Sequence, residues 1–154
     1  MTELKNKKIL YIDMDNVLVD FRSAFKKIPN ETLTKFKGNE DQIDGLFGLM
    51  DPMPKAIESF YELSDLFDTY ILSTSPWSNE SAWIDKLRWV KKYLGEKAKK
   101  RLILSHHKNL NTGDFLIDDR TANGASEFKG LHIHFGKADF PDWDSVVEFL
   151  REKS

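Results

Sequence analysis

The chain has 154 residues, 31% of them charged, and a formal net charge of −2, the makeup of one globular unit with no global pull toward a nucleic-acid polymer or a membrane surface. It has no cysteine, which excludes disulfides, thiolate zinc sites and cysteine nucleophiles. No apolar run reaches the roughly 18 residues of a membrane span, and the polar stretch Met1 to Lys8 lacks the apolar segment of a signal peptide, so a cytoplasmic location is expected.

The first predicted element is a strand at Ile9–Asp13, a short apolar run that stops on a carboxylate. Asp15 follows two residues on. Side chains at i and i+2 of an extended chain point to the same side, so Asp13 and Asp15 face one point at the carboxyl end of the strand. Open parallel sheets bind ligands at that edge. Two clustered anions repel and need a cation or a shared proton. An EF-hand loop is disfavoured, because Val17 and Leu18 occupy the fifth and sixth positions.

Residues 21–53 then break the rhythm. They hold Phe21, Phe25, Phe36, Leu46, Phe47 and Met50 among Gly38, Gly45 and Gly48, and read as a small, partly helical insertion placed to act as a lid. A helix follows, with the stripe Ala56, Phe60, Leu63 and Phe67 and with Pro54 in its first turn. The second strand, Tyr70–Ser73, runs into Thr74-Ser75-Pro76, where hydroxyls and free N–H groups can hold phosphate oxygens. The next helix is predicted from Trp83, Leu87, Val90 and Leu94, stopped by Gly95. The basic run from Lys91 to Arg101 reads as a solvated helix end.

A third strand, Leu102–Leu104, precedes Lys108, whose ammonium can neutralise phosphate charge. His106 and His107 between them read as loop residues, since adjacent side chains rarely converge on one metal. The fourth strand, Phe115–Ile117, ends in Asp118-Asp119. A fifth, Leu131–Phe135, leads to a terminal helix through Trp143, Val146, Val147 and Leu150, with Asp142 as N-cap. Five strands separated by helices predict an α/β fold: a mostly parallel sheet in a three-layer αβα, Rossmann-like arrangement. Its strand ends gather three or four acids, one lysine and two hydroxyls, in outline a magnesium-phosphate site. Trp83 and Trp143 sit on helical stripes and read as packing, whereas Trp77, Phe21 and Phe47 are candidates to stack on a substrate.

These residues resemble the haloacid dehalogenase superfamily of phosphotransferases across nearly the whole chain. Its four motifs stand in order as Asp13-Met14-Asp15-Asn16-Val17-Leu18, Thr74, Lys108 and Asp118-Asp119. The stretches Asp-Met-Asp-Asn-Val-Leu-Val-Asp-Phe, Leu-Ser-Thr-Ser-Pro and Leu-Ile-Asp-Asp-Arg, with Trp89 to Gly95, are similar to the 5′(3′)-deoxyribonucleotidases. Asn16 departs from the glycine usual after the second aspartate, and the insertion looks shorter than the lids of better-known members. The resemblance implies a HAD-like fold over residues 1–154 with a cap within it at about 21–53. It also implies that Asp13 attacks phosphorus and forms an aspartyl-phosphate, and that Asp15 works as general acid and then base. Magnesium is then held by the Asp13 carboxylate, the Asp15 backbone carbonyl and Asp119, with Asp118 behind it, while Thr74, Ser75 and Lys108 bind phosphoryl oxygens. The expected substrate is a nucleoside monophosphate, of the deoxyribo series. Another small phosphomonoester, or a non-catalytic phosphate sensor, stays open at this point.

Overall fold

Alternation along each strand divides the interior in two. The computed structural model describes residues 6–154, so the Met1 to Lys5 part of the polar N-terminal stretch lies outside the described residues. Strands β1 (Ile9–Ile12), β4 (Asp68–Ser73), β5 (Leu102–Leu104), β6 (Phe115–Asp118) and β7 (Leu131–His134) form one sheet, in the order β5-β4-β1-β6-β7. Every pairing is parallel, with Leu10 opposite both Thr69 and Phe115. Leu10, Ile12, Ile71, Ile117 and Ile133 face the main core, while Tyr11, Leu72 and Leu116 face a smaller cluster closed by Ala125 and Phe128.

Helices α2 (Ala56–Leu66), α3 (Glu80–Tyr93) and α4 (Trp143–Arg151) all bury residues in the main core. The opposite face carries a thinner layer of 3₁₀ turns and the Phe128 ring. Pro54 precedes α2 rather than opening it, because Lys55 takes a left-handed conformation, φ 65°, and the helix starts at Ala56. Gly95 stops α3 as expected, at φ 60°. Asp142 caps α4: its carboxylate accepts from the Ser145 N–H at 3.0 Å, and its own N–H donates to Ser145 Oγ at 3.3 Å.

The phase of α3 differs from the predicted stripe. Its buried residues are Ala82, Lys86, Trp89 and Val90, while Trp83 and Leu87 are half-buried. The helix is rotated because it packs on the insertion as well as the sheet, and Trp89 Nε1–H donates to the Met50 carbonyl at 3.0 Å.

The insertion is partly helical. It holds a 3₁₀ turn at Phe21–Lys27, helix α1 (Asn30–Lys35) and two further 3₁₀ turns at Glu40–Gln42 and Leu46–Gly48. A two-residue antiparallel pairing of β2 (Val19–Asp20) with β3 (Asp51–Pro52) closes its base. Polar anchors tie it to the start of α3. Asn79 Nδ2 donates to the carbonyls of Asp41 (2.8 Å) and Ile43 (3.1 Å), and the Gly45 N–H donates to Ser81 Oγ at 3.0 Å. Ile43, Leu46, Phe47 and Met50 enter the main core. The insertion is therefore a wall built onto α3.

Candidate functional site

Asp13 extends β1 by one ladder bond, its N–H donating to the Ile117 carbonyl at 2.9 Å. The chain then turns tightly. The Met14 carbonyl accepts from the N–H groups of Val17, Leu18 and Val19. That turn demands a left-handed residue at position 16, and Asn16 supplies it at φ 59°. Asparagine tolerates this region because its short polar side chain bonds locally, here by accepting from the Phe21 N–H at 3.3 Å. The departure from glycine leaves the turn intact.

Lys108 lies across the sheet end and is buried. Its ammonium stands 3.0 Å from Asp13 Oδ1 and 2.5 Å from Asp118 Oδ2. Burial alone pushes this lysine down, but the two carboxylates outweigh it and hold its pKa above the ordinary value. Asp118 is pushed up to about 6 by burial and by Asp13, against the pull of Lys108, and its Oδ1 accepts from the Arg120 N–H at 3.0 Å. Asp119 is pushed up to about 7 by burial, by repulsion from Asp13 and Asp118 and by a hydrogen bond with Asp13. Its Oδ1 is buried without a partner.

Among the described residues, Asp13, Asp118 and Asp119 present carboxylate oxygens within 4.8 Å of one another. A crevice of about 10 Å³ beside Asp13, Lys108 and Asp118 has room for one water-sized particle. Hard oxygen donors, carboxyl pKa values raised by burial and mutual repulsion, and an orphaned carboxylate oxygen together fit a small divalent cation such as magnesium.

Asp15 turns its side chain another way. Its Oδ2 stands 3.5 Å from the ammonium of Lys86, a buried lysine of α3, and its Oδ1 is buried without a partner. Burial raises the Asp15 pKa, Lys86 opposes the rise and Asp13 adds to it. Lys86 was missed by the sequence reading. The signal was there: it lies four residues before Val90 and three before Trp89, inside an apolar face where a solvated lysine has no place.

The loop after β4 brings Thr74 and Ser75 to the same end of the sheet. Thr74 Oγ1 donates to the Ser105 carbonyl at 2.7 Å, so in this structure its proton is engaged. Ser75 Oγ is buried without a partner. Both residues line a cavity of about 670 Å³, within the usual range for small-ligand sites. Asp15, Asp119 and Arg120 stand at its inner end, and Phe21 and Phe47 form a wall, their ring centroids 5.8 Å apart. Phe47 is largely buried, so its contribution is a packed surface rather than a free ring. Trp77 is 80% exposed at the mouth, edge-on to Trp83 and His106. His106 is a loop residue as expected and packs against aromatic rings. Arg120, also unassigned from the sequence, lines both the cavity and the crevice.

Comparison with known proteins points to one family. Residues 41–144 match the family described as 5′ nucleotidase, deoxy (pyrimidine), cytosolic type C. A protein of Vibrio phage KVP40, provisionally named a 5′(3′)-deoxyribonucleotidase, is 54% identical over 149 residues, covering 97% of this chain and 88% of its own. The human 5′(3′)-deoxyribonucleotidase, cytosolic type, is 32% identical over 146 residues, covering 75% of this chain and 73% of its own. Among solved structures, the provisionally assigned HAD-hydrolase YfnB from Bacillus subtilis, bound to magnesium, superposes with a TM-score of 0.66 at 12% identity over 94% of this chain and 98% of its own.

Proposed function

Because the chain belongs to the 5′(3′)-deoxyribonucleotidase family, phosphoric monoester hydrolases on the haloacid dehalogenase fold, we propose that it uses magnesium and an aspartyl-phosphate to hydrolyse deoxyribonucleoside monophosphates. The observation that carries this reading is the buried Asp13–Lys108–Asp118 arrangement, with the orphaned Asp119 oxygen beside it, in a crevice that shares Asp15, Thr74 and Arg120 with a nucleotide-sized cavity. A cytoplasmic setting is part of the proposal, supported by the cytosolic type of the human relative.

Asp13 is the nucleophile. Lys108 keeps its carboxylate oriented, and at 3.0 Å from Oδ1 the ammonium also offers charge to an incoming phosphoryl oxygen. Ser75, with its unpartnered hydroxyl, and the N–H groups around Thr74 are the remaining phosphoryl donors. Asp15 gives a proton to the leaving alkoxide and later takes one from water. Burial, by raising its pKa, favours the protonated form needed for the first of these steps. Asp13 and Asp119, with the Asp15 carbonyl, would hold magnesium, and Asp118 would stand behind them, steadied by Lys108 and the Arg120 N–H. When bound, magnesium neutralises the clustered carboxylates and withdraws charge from the phosphoryl group. Phe21, Phe47 and Trp77 provide the apolar surface that the phosphate machinery lacks, and select a substrate carrying a base.

Phosphate release from deoxyribo- and ribonucleoside monophosphates, sugar phosphates and a phosphopeptide, with magnesium and with chelator, tests the reading. Deoxyribonucleotides are expected to be hydrolysed fastest, and only with the metal. A better sugar phosphate, or full turnover in chelator, contradicts it.

A further inference from the structure

Lys86 has no part in the four motifs, yet it is among the most buried side chains, 1% exposed. A lysine so placed must have its three N–H donors met. Nζ stands 2.7 Å from Ser73 Oγ, 2.8 Å from the Thr74 carbonyl and 3.5 Å from Asp15 Oδ2. That gives three acceptors for three donors, as the charged form requires. The ammonium also lies 5.0 Å from the centre of the Phe47 ring, within cation–π range. It lines neither the 670 Å³ cavity nor the crevice, whereas Asp15 lines both. Lys86 therefore meets the reaction through Asp15.

We propose that Lys86 is the positioning residue for proton transfer: it claims Asp15 Oδ2 and leaves Oδ1 as the oxygen that carries the proton. This rests on the acid–base role proposed above for Asp15. An ammonium has only donors, so the oxygen facing it must accept, and the proton of the neutral carboxyl sits on the other oxygen. That other oxygen, Oδ1, is the buried atom with no partner. In the first half-reaction an Asp13 oxygen forms its bond to phosphorus. The ester P–O bond breaks with its electron pair on the alkoxide oxygen, which takes the proton from Oδ1. In the second, Oδ1 takes a proton from water as the water oxygen bonds to phosphorus. The P–O bond to Asp13 breaks, its electron pair returns to the Asp13 carboxylate, and both aspartates are restored.

The test compares Lys86→Met, Asp15→Asn and the double variant on two substrates. Thymidine 5′-monophosphate expels an alkoxide, which needs the proton, whereas p-nitrophenyl phosphate expels a stable phenolate, which does not. Lys86→Met is expected to lower kcat/KM for the nucleotide by about 10- to 100-fold, and for the aryl ester by no more than about threefold. The double variant is expected to match Asp15→Asn alone, since Lys86 acts through it. Equal losses on both substrates, no loss on the nucleotide, or independent multiplication of the two losses each overturns the proposal. Absence of the substrate split in Asp15→Asn overturns instead the acid–base role of Asp15, so the two failures are distinguishable. Ser73→Ala, a small change in a buried strand that removes one of the three acceptors, keeps the matter decidable if Lys86→Met does not fold. A several-fold loss confined to the nucleotide supports the proposal, and no loss or an equal loss on both substrates overturns it.

Discussion

Replacing Trp77 with alanine separates substrate selection from packing, because the structure bounds the packing contribution. Trp77 is 80% exposed, so about a fifth of its surface is covered. With about 250 Å² for the largest aromatic side chains, some 50 Å² is buried, worth about 1 kcal/mol at roughly 25 cal/mol per Å². The edge contacts to Trp83, at 6.5 Å, and to His106, at 6.2 Å, add about 0.5 kcal/mol each, the low end for edge-on pairs, because the ring is largely exposed. The variant should fold and lose no more than about 2 kcal/mol in chemical denaturation. A base stacked on the indole contributes about 1–3 kcal/mol, which predicts a fall in kcat/KM for thymidine monophosphate of about 5- to 150-fold. Deoxyribose 5-phosphate carries the same sugar and phosphate without the base. Its kcat/KM should stay within about twofold of wild type. An equal loss on both compounds would assign Trp77 to packing around the loop after β4, and no loss on the nucleotide would refute base stacking at this ring.

Asp13→Asn should retain its melting temperature to within a few degrees and lose at least about 10³-fold in turnover, because the nucleophile is gone. Phosphate release and calorimetry check both, and substantial turnover excludes an aspartyl-phosphate. Magnesium affinity should weaken as pH falls from about 8 to about 5.5, because burial and mutual repulsion raise Asp119 to about 7 and Asp118 to about 6, and those protons must leave before the cation binds. The same shifts fix the sign for stability. In the metal-free protein the folded state holds protons that the unfolded chain releases from the ordinary value of 3.8 upward, so stability declines as pH rises toward about 7. The melting-temperature gain on adding magnesium should therefore grow over that interval, and a gain independent of pH is the contrary result. Asn79→Ala leaves the buried Ile43 carbonyl and the part-buried Asp41 carbonyl without their donor and should destabilise the protein by about 1–3 kcal/mol. Amide exchange across residues 38–48 should quicken more than exchange in β1, and uniform quickening would show that these bonds do not hold the insertion in particular.

The elements legible in the sequence were those written in local chemistry. The inner strands β4, β1 and β6 were visible because a parallel sheet buries both faces and leaves short unbroken apolar runs, whereas the edge strands show as a three-residue run, Leu102–Leu104, and an alternating one, Leu131–His134. The α4 cap was visible because Asp142 and Ser145 contact each other three residues apart. Asp13 and Asp15 were visible because they follow directly on the apolar run of β1, although the chain turns after Asp13 and the two side chains part instead of facing one point. What the sequence left out depends on residues far apart in the chain. The rotation of α3 follows from a surface that lies some forty residues upstream, where the Met50 carbonyl takes the Trp89 indole N–H. The short pairing of β2 with β3 has no periodicity to announce it, being two residues long on each side.

The sequence by itself determined the strand-end chemistry of this protein: which acids, which hydroxyls and which lysine stand at the carboxyl edge of the sheet. Spacing and strand order suffice for that, since a parallel sheet delivers every strand end to the same side. Only the tertiary structure decided how those groups are oriented. Thr74 spends its hydroxyl proton on the Ser105 carbonyl, Asp118 is engaged by Lys108 while Asp119 keeps a free oxygen, and Lys86 meets one oxygen of Asp15 across 71 residues of sequence. The physical reason is directional. Hydrogen bonds and ion pairs in a buried site are set by distances of a few ångströms between elements whose relative placement is fixed by core packing, and no local pattern in the chain records that placement.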